Sequence, residues 1–178
     1  MNCADSRERY TVMKMPGEDI RKELEDGIQL LNEGRPEDAV KKFAKVLKSD
    51  PKNAEAYFWR AEASLALSQV AIEEILALYK KAIECDPVNA YYQSSLGFFC
   101  AENGRFNEAE AAYNKAAELE PESSAQFYSE FAAGYARNAP VFMERFLDDK
   151  TREMIQKKAL KYALKSISMD EETAKKLL

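Results

Sequence analysis

Residues 90–121, AYYQSSLGFFCAENGRFNEAEAAYNKAAELEP, carry the pattern that decides the fold. Two helix-length stretches flank the turn Asn103-Gly104-Arg105, and a proline ends the unit. The order of small residue, alanine (isoleucine in the second copy), aromatic residue and proline occurs three times: Gly27, Ala39, Phe43, Pro51; Ala61, Ile75, Tyr79, Pro87; Gly97, Ala109, Tyr113, Pro121. The prolines lie 36 and then 34 residues apart. A period near 34 predicts stacked helix pairs, each unable to bury its apolar face alone.

Length and composition fit one such stack. The chain has 178 residues, of which 46% are hydrophobic and 32% charged, and its net charge is −5. These values favour a single globular or solenoid domain with a substantial core. We expect an N-terminal tail over residues 1–17 and a domain over 18–178, divided into repeats at about 20–53, 54–89 and 90–123, a divergent fourth repeat at 124–170, and a capping helix at 171–178.

The fourth repeat contains an insertion. Tyr162 lies 49 residues after Tyr113, so about 15 residues are added between its two helices. Residues Asn138-Ala139-Pro140 are expected to end the first of these helices. A short apolar element and a helix over 151–168 should follow. Asp148 and Asp170 are expected to begin helices, where a carboxylate meets the positive end of the helix dipole.

Several classes of function are disfavoured by the sequence. It contains no histidine, phosphate-binding loop or GxSxG motif, so we expect neither an enzyme nor a metal or cofactor site. Lysine rows at 41–48 and 157–165 are interpreted as solvated faces, so no nucleic-acid or membrane partner is expected. The mixed N-terminus and three scattered cysteines favour a cytoplasmic protein with reduced thiols.

The third copy, with Leu96-Gly97, Ala109, Tyr113, Ala116 and Pro121, resembles the tetratricopeptide repeat. The resemblance covers about residues 20–170. It implies an all-α protein, a right-handed α-solenoid of antiparallel helix pairs in which the first helix of each pair lines a concave groove. It also implies a non-catalytic adaptor or scaffold for protein–protein interactions. The small residues should let paired helices cross closely, and the aromatic residues should fill the space behind them.

Helical spacing assigns a set of side chains to the concave face. These are Leu24, Ile28, Phe58, Glu62, Tyr91, Phe98, Glu102, Tyr128 and Tyr135. This surface is apolar and aromatic with some acid, so the expected partner is a peptide or helix segment with hydrophobic anchors. Glu62 and Glu102 are expected to select a basic flank.

Two other interpretations of the groove and the insertion stay open. The tail, the insertion or the last helix fills the groove, or the protein forms a homodimer that buries Phe142, Met143 and Phe146. A further mode known in the resembling family, a carboxylate clamp for acidic chaperone tails, is not expected. The clamp needs Lys, Arg and Asn side chains, and the matching positions here are Leu24, Ile28, Trp59, Tyr91 and Ser95.

Overall fold

The computed structural model describes residues 16–176. The helices are α1 (Pro16–Asn32), α2 (Pro36–Ser49), α3 (Ala54–Leu65), α4 (Ile72–Cys85), α5 (Ala90–Glu102), α6 (Phe106–Leu119), α7 (Ser124–Phe142), α8 (Asp149–Ser166) and α9 (Glu171–Lys176). Successive helices pack as the pairs α1–α2, α3–α4, α5–α6 and α7–α8, and each pair stacks on the next. The predicted all-α, right-handed α-solenoid is confirmed. Residues 1–15 of the predicted tail and 177–178 of the predicted capping helix lie outside the described residues.

Close helix crossings depend on the recurring small residues. A Cβ atom added at Gly27 would lie 2.6 Å from Cε1 of Phe43, and one added at Gly97 would lie 2.8 Å from Cδ2 of Tyr113. Both rings are buried. Real Cβ atoms do not approach carbon this closely, so only glycine allows the aromatic ring to lie directly against the facing helix. The predicted role of these two glycines is confirmed.

The proline turns between pairs also cap the helices that follow them. In Asp50-Pro51-Lys52-Asn53, the side chain of Asn53 accepts a hydrogen bond from the N–H of Ala56 at 2.9 Å. In Asp86-Pro87-Val88-Asn89, Asn89 accepts one from the N–H of Tyr92 at 3.2 Å. Each asparagine therefore satisfies a free amide at the start of the next helix, so the turn both ends one pair and begins another.

Helix α7 does not end where the sequence predicted. It continues through Pro140 to Phe142, so the expected break at 138–140 is wrong. Proline removes one backbone hydrogen bond, but here it lies in the last turn, where little helix remains to be disrupted. The N–H of Met143 still donates to the carbonyl of Ala139 at 2.9 Å. Ala139 is fully buried, and its packing keeps this turn helical.

Phe142 uses the extra turn to reach the preceding pair. Its ring lies against Gly104, where an added Cβ would be 2.6 Å from Cδ1 of Phe142. It also makes an edge-on contact with Phe106, with ring centroids 6.0 Å apart. Gly104 has a φ of 72°, which glycine adopts without strain. One glycine therefore serves both the α5–α6 turn and the packing of α7.

Helix α8 closes the fourth pair through Tyr162. The ring centroid of Tyr162 lies 4.6 Å from that of Phe131, and its hydroxyl donates to Glu110 at 2.6 Å. Lys158 donates to the other oxygen of Glu110, also at 2.6 Å. Burial raises the pKa of Glu110, but the hydrogen bonds from Lys158 and Tyr162 outweigh it and leave the pKa below its ordinary value.

Two aspartates begin the last helices, as predicted. The side chain of Asp148 accepts from the N–H of Thr151 at 2.7 Å, and that of Asp170 accepts from the N–H of Thr173 at 2.6 Å. Helix α8 therefore begins at Asp149, two residues before the expected Thr151. Over residues 16–176, no helix has both the length and the apolar character needed to cross a membrane.

Candidate peptide-binding groove

A groove of about 550 Å³ runs along the face where α3, α5 and α7 lie side by side. Its walls include Glu62 and Leu65 of α3, Tyr91 and Phe98 of α5, and Glu130, Gly134 and Arg137 of α7. All three helices are the first of their pairs, which is the arrangement that the repeat pattern predicted for a concave surface. The second to fourth repeats therefore build one continuous site.

Three large apolar side chains in this groove are open to solvent. Tyr91 is 60% exposed, Phe98 is 55% exposed and Leu65 is 47% exposed. They come from two adjacent helices and line the same cavity. On folded proteins, contiguous exposed apolar surface of this kind commonly marks a site that binds a partner. These side chains are suited to hold aliphatic or aromatic anchors of a ligand.

The groove floor is made by two tyrosines from the second helices. The rings of Tyr79 and Tyr113 are buried, yet both residues line the groove. The Tyr79 hydroxyl donates to Oε1 of Glu62 at 2.6 Å, and the Glu130 carboxylate is the charge that acts most strongly on the Tyr113 hydroxyl. Burial raises the pKa of both hydroxyls, and the neighbouring carboxylates raise it further. Both tyrosines therefore remain neutral donors at physiological pH.

Sequence reasoning assigned Tyr79 and Tyr113 only to packing between helices. It missed that their hydroxyls reach the concave face. The signal was present, because both aromatic residues are tyrosines whereas the first repeat has Phe43. A buried tyrosine hydroxyl needs a polar partner, and for Tyr79 the partner is Glu62 on the groove-lining helix α3.

Glu62 is a groove carboxylate whose charge is disfavoured by burial. Desolvation raises its pKa above the ordinary value, and the hydrogen bond from Tyr79 only partly opposes this shift. Within residues 16–176, no lysine or arginine forms a salt bridge with it. By contrast, Glu102 is paired with Arg137 and also accepts a hydrogen bond from Asn138 at 2.9 Å. A cationic ligand group would therefore gain more from Glu62 than from Glu102.

Two tetratricopeptide repeat models match the sequence, one over residues 24–90 and the other over residues 78–111. Residues 24–111 of the chain carry tetratricopeptide repeats. These repeats are typically non-catalytic interaction modules, and they support a protein-interaction or scaffold role for the chain. A comparison with curated proteins finds no match.

Solved structures of similar shape agree with this assignment. A crystal structure of MamA aligns with a TM-score of 0.66 at 22% identity, covering 88% of this chain and 81% of that one. MamA from residue 41 to its end, from Desulfovibrio magneticus RS-1, aligns with a TM-score of 0.64 at 22% identity, covering 85% and 75%. PilW, a type IV pilus biogenesis factor, aligns with a TM-score of 0.58 at 18% identity, covering 86% and 80%. At these identities the likeness shows the fold.

Three side chains expected to anchor a ligand are core residues instead. Leu24, Phe58 and Tyr135 are all buried, and Phe58 is only 1% exposed. The Phe58 ring stacks on Tyr92 with centroids 4.9 Å apart. The rings of Tyr79 and Tyr91 also cover Phe58, and Tyr135 packs edge-on against Phe106 with centroids 5.1 Å apart. Leu24 belongs to the core of the first two repeats. The expectation that these three residues contact a partner is wrong.

The other predicted residues divide between the groove and its surroundings. Tyr91, Phe98, Glu62 and Glu102 line it together. Ile28 and Tyr128 are half-buried outside its lining. Lys165 lies over the Tyr128 ring, 4.8 Å from its centroid.

The residues predicted for self-association also differ from one another. Phe142 is half-exposed but already packs on Gly104 and Phe106, and Met143 is partly buried against the main core. The side chain of Phe146 lies outside the described part of the structure. Among described residues, no group of three or more potential metal ligands occurs.

Because burial disfavours the ionised form of Glu62, the stability of the folded protein is expected to depend on pH. The pKa of such a carboxyl is higher in the folded protein than in the unfolded chain. Its contribution to stability is fully present at a pH below the pKa of the unfolded chain and is lost as the pH rises through the pKa of the folded protein. Glu62→Gln keeps an acceptor for Tyr79 and cannot ionise. We expect its free energy of unfolding to exceed that of the wild type by an amount that grows as the pH rises above about 4.5 and then levels off.

Urea unfolding followed by circular dichroism at a series of pH values measures this difference. The matched control is Glu144→Gln, at a solvent-exposed glutamate away from the groove. The control should follow the wild-type profile. Parallel wild-type and Glu62→Gln profiles would show that burial does not disfavour the Glu62 carboxylate.

Proposed function

We propose that the groove between α3, α5 and α7 binds an extended peptide or a single helix from another protein, and that the chain acts as a non-catalytic adaptor. The ligand combines apolar anchors, held against Tyr91, Phe98 and Leu65, with one basic side chain that reaches Glu62. The observation that carries this proposal is the position of Glu62, a partly buried carboxylate with raised pKa, beside exposed aromatic surface in one cavity.

The apolar contribution comes from side chains that already face solvent. Each anchor of leucine or phenylalanine size contributes about 1.5–3 kcal/mol when it is buried, before the cost of ordering the ligand. Phe98 and Tyr91 are held on the rigid helix α5, so little side-chain freedom is lost on the protein side.

The basic side chain supplies specificity. An ammonium or guanidinium group beside Glu62 stabilises its ionised form and removes the desolvation penalty that raises its pKa. Binding therefore lowers the pKa of Glu62. The affinity rises with pH over the range in which the Glu62 carboxyl of the free protein loses its proton. A ligand with an acidic residue at this point is rejected by Glu62 and Glu130 together.

Selection from a displayed library of random peptides against the full chain tests this function. We expect the selected peptides to share apolar residues and a lysine or arginine. Phe98→Ala should weaken their binding about tenfold or more, because it removes one of the two exposed aromatic anchor surfaces. Glu62→Gln should abolish the preference for the basic residue while leaving apolar selection intact. Fluorescence anisotropy with the selected peptides provides the affinities.

Val88→Ala is the matched control, since Val88 is exposed apolar surface in the α4–α5 turn, outside the groove lining. It should leave the affinities unchanged. Selected peptides that bind Phe98→Ala as tightly as the wild type would contradict the groove as their site. Peptides without any basic residue would contradict the role of Glu62.

A further inference from the structure

The last helix pair leaves one face of the stack uncovered in the part of the chain that the structure describes. Helices α2, α4 and α6 are each covered by the first helix of the next pair, which are α3, α5 and α7. Up to residue 176, helix α8 is followed by the six-residue α9, which makes a small contact with it. The outer face of α7 and α8 therefore has the shape that receives a helix everywhere else in the fold.

This outer face is apolar. A groove of about 620 Å³ lies between the two helices, and its lining includes Ala136, Pro140, Leu147, Ile155 and Ala159. Exposed residues of α8 continue the same surface at helical spacing. They are Leu160 and Ala163, followed by Ile167 directly after the helix, and Leu160 and Ile167 are 55% and 63% exposed. Helix α8 thus has two apolar stripes, one packed on the core through Tyr162 and one open.

Positive charge borders the open stripe. Helix α8 carries six basic and two acidic residues. Arg152 lines the groove on one side of the stripe, and helical spacing places Lys157 and Lys161 on the other. The acidic Glu153 lies next to Lys157 on that side, so the border carries an excess of positive charge. Within residues 16–176, none of the three basic side chains forms a salt bridge, although Nζ of Lys161 lies 5.6 Å from the centroid of the Tyr162 ring, whereas Lys158 on the inner face is paired with Glu110. The lining of this groove includes no acidic side chain.

We propose that this face, defined by the groove above together with Leu160, Ala163 and Ile167, binds an amphipathic helix of a partner protein whose apolar stripe is flanked by acidic residues. The partner helix takes the place that the first helix of a further repeat would occupy. Its apolar side chains enter the groove between α7 and α8, and its carboxylates face Arg152 on one side and Lys157 and Lys161 on the other. This site is separate from the concave groove.

A second copy of the chain fits this face poorly. A symmetric contact places the same patch on both sides, so two α8 helices, each with an excess of lysine, would meet. Like charges at such a contact oppose association. Charge complementarity therefore favours a different, acidic partner.

Two synthetic 18-residue helical peptides test the inference with the full chain. Both carry the same leucine stripe, and the flanking positions are glutamate in one and lysine in the other. Fluorescence anisotropy at physiological salt should show that the glutamate peptide binds about tenfold or more tightly than the lysine peptide. Leu160→Glu should weaken binding of the glutamate peptide about tenfold. Lys157→Glu with Lys161→Glu should reverse the preference between the peptides.

Glutamate is a good helix former, so these substitutions preserve α8, and the circular dichroism melting curve checks this. Phe98→Ala in the concave groove is the control for the glutamate peptide and should leave its binding unchanged. The lysine peptide has the features of a ligand for the concave groove, so the two affinities are compared in the Phe98→Ala protein. Equal affinities there, no detectable binding of the glutamate peptide, or loss of its binding in Phe98→Ala would overturn the inference. So would a concentration-dependent dimer in analytical ultracentrifugation that Leu160→Glu dissociates, since the occupant would then be a second copy.

Discussion

Gly97→Leu is expected to lower the free energy of unfolding by about 3 kcal/mol or more. Even the first atom of a side chain at this position would lie 2.8 Å from the ring of Tyr113. That ring is 1% exposed and is packed against Phe131, with centroids 5.9 Å apart, so it has no free space to enter. The α5–α6 crossing must open to accept leucine, and the stacking of α7 on this pair would be lost with it. Urea unfolding followed by circular dichroism measures the change.

Gly134→Ala is the control for this prediction. Gly134 also lies in the interior of a helix, but a Cβ atom there would meet only the Cβ of Ala101, at an ordinary contact distance of 3.6 Å. Because alanine favours the helix over glycine by about 1 kcal/mol, this variant should be as stable as the wild type or more stable. If Gly97→Leu unfolds at the same urea concentration as the wild type, the contact between α5 and α6 at Gly97 is not rigid.

The parts of the fold that were predictable from sequence depend on strong local signals. Gly27, Gly97 and the prolines at 51, 87 and 121 act through backbone geometry and close contact, which no other residue type can replace. Their spacing alone fixes where each helix pair begins and ends. The helix starts at Asp148 and Asp170 were found for the same reason, because capping is a property of a few adjacent residues.

The prediction at Pro140 was wrong because tertiary packing decided the outcome. Locally, proline disfavours helix, but the turn that contains it is held by buried Ala139 and by Phe142 on Gly104. Gly104 lies 38 residues before Phe142 in the chain. No local pattern joins it to Phe142, so the contact is visible only once α5, α6 and α7 are placed in space.

The groove residues were partly predictable for a related reason. Helical spacing gives the direction of a side chain to within about one residue, or 100° around the helix. Phe58 and Glu62 lie one turn apart on α3 and were both assigned to the open face, yet only Glu62 lines the groove. What separates them is how closely α5 approaches α3, and the sequence of α3 does not contain that information.

Phe58→Ala should therefore destabilise the protein by about 3–5 kcal/mol, the range for removing a buried aromatic ring. The ring of Phe58 contacts those of Trp59, Tyr79, Tyr91 and Tyr92, with centroid distances of 4.9–6.1 Å. Its loss leaves a cavity between two repeats, and the rigid helices on either side limit how far it collapses. Thermal and urea unfolding by circular dichroism both report this loss.

Phe98→Ala, one repeat later on α5, makes the comparison decisive. Phe98 is 55% exposed in the groove, so its removal should change the free energy of unfolding by less than about 0.5–1 kcal/mol. The two variants thus separate stability from binding. Phe58→Ala destabilises the fold, whereas Phe98→Ala leaves the fold intact and weakens peptide binding. Similar melting temperatures for both variants would mean that the α3–α5 contact is loose. The groove would then extend to Phe58, because a ring that is free to leave the core is also free to contact a ligand.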